Sequence, residues 1–197
     1  MTFQQELSSW NPFNGPQATK EVPTVGSKAP STPQITLPRN DKKPTIISFL
    51  RHCGCPFAEK AFQKLRRIAE QNPAIHCIAV SHSDKAATEK WLEAVGGRGK
   101  VEVIVDDQRQ SFTEYGLGYS SFWAVLNPWS LKNAMTIGKE EGFNIRPTES
   151  GSRWQVAGLF AADGEGVLTY AHQANTSDDL GDLDAAIGSV KFPKASL

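Results

Sequence analysis

Residues 45–58 read TIISFLRHCGCPFA, and the join inside this stretch decides the fold. Thr45 to Leu50 is a nearly continuous apolar run of strand length, the pattern of a strand covered on both faces. Pro56 sits where a helix can begin, because the first helical position has no use for the N–H that proline lacks. Ala58, Ala61, Phe62, Leu65 and Ala69 then recur at three- and four-residue steps down to Asn72-Pro73, which predicts an amphipathic helix. A buried strand that feeds this helix through Cys53-Gly54-Cys55 puts Cys55 near the helix N-cap.

The alternation continues toward the C-terminus. Ile75 to Val80 reads as a second strand, and Ser83-Asp84 opens a helix with Ala87, Trp91, Ala94 and Val95 on one face, stopped by Gly96-Gly97. Val101 to Val105 is a third strand, after which Asp107 is expected to cap a short helix running through Tyr115 and ended by Gly116. This βαβαβα order implies parallel strands joined by right-handed crossovers. Gly118 to Ser150 reads as an insertion in which Asn127-Pro128 opens a helix of one to two turns, closed by Gly138. Trp154 to Ala161 and Val167 to His172 flank Asp163-Gly164-Glu165-Gly166 as a hairpin. A last helix is expected from Asp178 to about Val190, with Leu180, Leu183, Ala186 and Ile187 on one face.

Six of the twelve prolines fall in the first 40 residues, so residues 1–40 read as an extended, Pro-rich arm before a single domain over 41–197. Ile35-Thr36-Leu37 is the arm's best candidate for a short strand. The chain has 197 residues, long enough for one well-buried core, and 21 Lys plus Arg balance 21 Asp plus Glu. Zero net charge supplies no field for nucleic acid or an anionic membrane surface, so neither is expected as a partner. The first ten residues lack a basic start and an apolar run, and no window is apolar enough to span a bilayer, so a cytoplasmic location is expected.

Three cysteines, an odd number, argue against a disulfide scaffold. Cys55 is the candidate nucleophile: orphan N–H groups at a helix start stabilise a thiolate, and Arg51 and His52 are expected to add positive charge. Cys53, two residues earlier, sits at the upper edge of disulfide reach in extended chain, and the bend at Gly54 would permit a strained, easily reduced Cys53–Cys55 bond. Cys77 reads as core filler. Metal ligand spacing around His52, Cys53 and Cys55 is poor and lacks a second pair, so neither a metal nor another cofactor is expected.

Two further stretches place these features in a family. Val25-Gly26-Ser27-Lys28-Ala29-Pro30 resembles the opening of the alkyl hydroperoxide reductase and thiol-specific antioxidant (AhpC/TSA) families, and FLRHCGCPFAEKAF resembles their peroxiredoxin-like branch. In that branch the strand ends in Arg before Gly-Cys-Pro-x-Cys, an Asp follows the third strand, and a Gln-Leu-Pro-Gly turn precedes a hairpin ending in His. Here the matching positions are Arg51, Gly54-Cys55-Pro56, Asp106, Gln155-Val156-Ala157-Gly158 and His172. The resemblance implies a thioredoxin-like fold: α/β, a three-layer sandwich around a mixed central sheet, with the Pro-rich extension and the insertion added. It also implies redox chemistry at Cys55. Two positions depart from the pattern: Ala58 replaces the second cysteine of Cys-x-x-Cys, and Ala157 replaces the proline that commonly faces the cysteine. The Pro-x-x-x-Thr-x-x-Cys signature is also absent, with His52 three residues and Ser48 seven residues before Cys55.

The leading functional reading is a thiol-dependent oxidoreductase in which Cys55 attacks a peroxide, disulfide or related electrophile. Resolution is expected from Cys53 or from an external thiol such as glutathione or thioredoxin. Arg51, His52 and Arg153 complete the candidate catalytic group. Six aromatics crowd Phe112 to Trp129, so Phe57, Tyr119, Phe122, Trp123, Trp129 and Gln155 are candidate substrate-binding residues around an apolar pocket. The same aromatics also read as ordinary core or as a homodimer surface. The alternative is a biosynthetic enzyme that keeps the scaffold and performs non-redox chemistry on an apolar small molecule.

Overall fold

The computed structural model describes residues 7, 9–11, 20–119, 128–143 and 145–191. The apolar run becomes β1 (Thr45–Phe49), and Pro56 opens the 16-residue α1 (Pro56–Gln71). Then come β2 (His76–Ser81), α2 (Lys85–Ala94), β3 (Glu102–Val105), α3 (Gln110–Glu114), α4 (Pro128–Glu140), β4 (Gly158–Ala162), β5 (Leu168–Gln173) and α5 (Leu183–Lys191). One five-stranded sheet runs β3-β2-β1-β4-β5. Its first three strands are parallel, with Thr45 opposite His76 and Ile78 opposite Glu102; β4 runs antiparallel to β1 and β5 antiparallel to β4. This is the mixed α/β sandwich that the chain order implies.

Strand alternation splits the core in two. Ile46 faces one side, packing with Phe62 and Leu65 of α1, Trp91 and Leu92 of α2, and Ile187 of α5. Ile47 and Phe49 face the other, against Phe112, Tyr115 and Leu117 and the arm residues Ile35 and Leu37. Phe49 meets Phe112, Tyr115 and Phe160 at centroid distances of 5.0, 4.8 and 5.8 Å. Phe112 and Tyr115 of the aromatic-rich segment are therefore core packing, the ordinary reason for such a cluster.

Several elements depart from the sequence expectation for identifiable reasons. Asp107 does not cap α3; the carboxylate of Asp106 does, accepting from the backbone N–H groups of Gln110, Ser111 and Phe112 at 3.0, 2.8 and 3.3 Å. α4 runs through Gly138 to Glu140, because a lone glycine costs a helix only about 1 kcal/mol. The hairpin strand starts at Gly158 rather than Trp154, since Gln155 is drawn into an isolated bridge with Tyr119. α5 starts at Leu183, where the Asp182 carboxylate accepts from Ala185 N–H at 2.9 Å. Ile35-Thr36-Leu37 forms no strand: Thr32 and Ile35 bond each other's backbones in a tight turn. The arm instead reaches the sheet at Lys28, opposite Val167, with Gly26 and Ala29 donating to the carbonyls of Leu168 and Gly166.

Candidate active site

The chain leaves β1 with Leu50 N–H still bonded to Val80 O at 2.9 Å, then turns sharply. Cys55 N–H donates to His52 O at 3.1 Å, and Gly54 holds φ +109°, a conformation open to glycine. Cys55 is the α1 N-cap, in extended geometry and with no side-chain cap bond, so its sulfur is not spent on the helix. The side chain is 6% exposed, and Cys55 forms part of the wall of a cleft of about 90 Å³. Arg51, His52, Phe57 and Arg153 share that wall, so the structure brings these five sequence candidates together.

Their electrostatics differ from the expectation in one respect. His52 is 4% exposed, and burial, assisted by Arg51 and Arg153, holds its imidazole well below the ordinary histidine range. Among the described residues neither ring nitrogen finds a hydrogen-bond partner. His52 is thus neutral near pH 7 and supplies no positive charge to the turn, which corrects that part of the sequence reading. The cations at the cleft are Arg51, whose Nη2 donates to Arg153 O at 2.6 Å, and Arg153, whose guanidinium lies 4.7 Å from the Trp10 ring centroid.

Cys53 faces a different environment. Its Sγ lies 3.6 Å from Ser81 Oγ and donates to Thr88 Oγ1 at 3.9 Å, and burial pushes its thiol pKa up. It lines a second cavity of about 210 Å³ with Trp91, Lys90 and Pro147, which shares only Gly54 with the Cys55 cleft. Cys53, Cys55 and Cys77 are all free. Cys77 is core, with burial driving its pKa to about 12.

The aromatic pocket reads differently in three dimensions. Tyr119 bonds Arg109 through its hydroxyl and forms no part of the Cys55 cleft, and Trp129 is 71% exposed. Gln155 is buried with its amide spent on the carbonyls of Leu117 and Gly118 at 2.8 and 3.1 Å, a structural use. Phe122 and Trp123 lie outside the described residues. Of the described aromatics behind the non-redox alternative, Tyr119 and Trp129 do not line the Cys55 cleft.

Sequence reasoning missed Trp10, which walls the cleft from the arm, as well as Ala134, Ile145 and Ser177. It also missed the segment that crosses the cysteine turn. Arg146 N–H donates to Gly54 O at 3.0 Å, and the Arg146 guanidinium meets the buried Glu59 carboxylate at 3.1 and 3.3 Å. Glu59 was a usable signal, an acidic residue in the first turn of α1 next to Ala58 on an otherwise buried face. Among the described residues no cluster of three or more His, Cys, Asp or Glu is placed to hold a metal, and no helix is long and apolar enough to cross a membrane.

Comparison with known proteins places this geometry. A peroxiredoxin-like protein from Aquifex aeolicus superposes with TM-score 0.59 at 16% identity, over 88% of this chain and 89% of that one. Thiol peroxidase from Chromobacterium violaceum gives 0.57 at 16% identity over 85% and 86%, and a peroxidoxin from Mycobacterium tuberculosis 0.51 at 12% identity over 77% and 80%. These likenesses show the thioredoxin-like fold. No curated protein matches the chain. The family model for AhpC/TSA antioxidant enzymes matches residues 62–176, more than half of the chain, starting in the second turn of α1 just beyond the cysteine turn. The chain belongs to the AhpC/TSA antioxidant enzyme family.

Proposed function

We propose that the protein is a thiol peroxidase that works with a single reacting cysteine, Cys55. The observation that carries this reading is the position of Cys55: it caps α1 without a side-chain bond and lines a cleft shared with Arg51 and Arg153. A sulfur there attacks one peroxide oxygen, the O–O bond breaks, and the other oxygen leaves with the thiol proton, so that Cys55–SH and ROOH become Cys55–SOH and ROH. Negative charge builds on the departing oxygen, and the role of the two guanidinium groups of the cleft and the positive helix end is to stabilise it.

An external thiol completes the cycle. It condenses with Cys55–SOH to a mixed disulfide and water, and a second thiol displaces Cys55–SH as the external disulfide forms. Cys53 is unsuited to this step, since its thiol is tied to Ser81 and Thr88 and borders the other cavity. Ala58 offers no thiol at the helix position that usually supplies one. The test is hydrogen peroxide consumption with excess dithiothreitol. Cys55→Ser should lose it and Cys53→Ser should retain it; full activity in Cys55→Ser overturns the reading.

A further inference from the structure

We propose that Trp10 sets the size of the electrophile that reaches Cys55, so that the protein accepts hydrogen peroxide and comparably small peroxides and turns bulky ones away. This rests on Cys55 being the reacting thiol. The cleft offers about 90 Å³, against the roughly 150 Å³ of an engineered protein cavity that takes up benzene. Hydrogen peroxide fits that space, whereas a hydroperoxide with a branched or aromatic body needs a wall to give way.

The wall that can give way is Trp10. Phe57 belongs to α1 and Ala134 to α4, both built into the domain, while Trp10 comes from the arm and is held by Trp154, 144 positions away. It is nonetheless firmly seated. Its carbonyl accepts from the Trp154 indole N–H at 2.9 Å, and its ring meets the Trp154 ring edge-on at 6.4 Å. The Arg153 guanidinium lies over the Trp10 ring, 4.7 Å from its centroid. Ser9 adds two bonds, its carbonyl accepting from Arg153 N–H and its Oγ from Arg153 Nε, both at 3.1 Å. The residue that positions the cleft cation therefore also limits the room beside it. Trp10 is 39% exposed, so shortening it opens the cleft without emptying a core site.

The test compares wild type, Trp10→Ala and Trp10→Phe by labelling the native protein with iodoacetamide or with the bulky N-(1-pyrenyl)maleimide, read at each cysteine by peptide mass spectrometry. In Trp10→Ala the bulky-to-small labelling ratio at Cys55 should rise about tenfold, with the ratio at Cys53 unchanged. Trp10→Phe, which keeps a ring, should stay near wild type. Consumption of cumene hydroperoxide relative to hydrogen peroxide should rise in parallel with the Cys55 ratio. An unchanged Cys55 ratio, or an equal rise at Cys53 marking general loosening, overturns the proposal. A shifted Cys55 ratio with neither peroxide consumed leaves the size limit standing and removes the peroxidase reading instead.

Discussion

Gly54→Ala tests how the cysteine turn is held. Gly54 has φ +109°, and a Cβ there would lie 2.7 Å from Arg146 O and 2.8 Å from Pro147 O. Both atoms are backbone, so they cannot rotate aside as a flexible side chain would. Forcing alanine into that backbone region costs about 1 to 3 kcal/mol, and the overlap adds about 1 to 3 kcal/mol of overpacking. A total near 3 kcal/mol shifts a urea midpoint by roughly 1.5 M when the slope is about 2 kcal/mol per molar. Gly142→Ala is the control, since Gly142 also has positive φ, +78°, but its Cβ would meet nothing within 4 Å. It should lose only the conformational part, about 1 kcal/mol. Both are read by urea unfolding at pH 7.5. If Gly54→Ala loses no more than Gly142→Ala, the crossing segment is not seated on Gly54 and the division into two cavities fails with it.

Two further outcomes follow from buried groups. His82 is buried and uncharged, with burial lowering its pKa to about 3; because the unfolded histidine takes up a proton near 6.5, stability is fully present above that value and is lost as pH falls toward 3. At pH 5 this group alone removes about 2 kcal/mol relative to pH 8, and His52 adds in the same direction. Urea unfolding across that range should show the loss, and a flat profile contradicts it. Asp106→Ala strips the acceptor from three N–H groups at the start of α3 and should cost about 2 to 3 kcal/mol. Asp107→Ala, at an exposed position, should stay within about 0.5 kcal/mol of wild type; equal effects would refute the capping assignment.

The fold was legible where local signals agree with tertiary structure. TIISFL is apolar on both strand faces and is covered on both, and Pro56 and the spacing of Phe62 and Leu65 mark α1 before any packing is known. Boundaries blurred where a side chain takes a backbone partner that local pattern does not single out: Gln155 bonds distant carbonyls ahead of β4, and Asp106 takes the capping role that Asp107 was as well placed in sequence to fill. Composition cannot show direction in the cluster from Phe112 to Trp129. Phe112 and Tyr115 point into the core while Trp129 is exposed.

The site was legible only in its local part. Arg51, His52 and Cys55 are neighbours in sequence and remain neighbours at the cleft. The charge state of His52 was hidden because it depends on burial by remote elements, and Trp10 was hidden because it meets Arg153 and Trp154 across almost the whole chain. Cys53 and Cys55 look equivalent on paper. The bend at Gly54 sends them to separate cavities, giving one a hydroxyl cage and leaving the other on a cleft with two arginines.

That inequivalence can be read in one measurement. Native protein is treated with one equivalent of hydrogen peroxide in the presence of dimedone, which traps sulfenic acids, and each cysteine peptide is then identified by mass spectrometry. The dimedone adduct should sit on Cys55, with Cys53 and Cys77 unmodified. An adduct on Cys53, or none on any cysteine, contradicts the assignment of Cys55 as the thiol that meets peroxide.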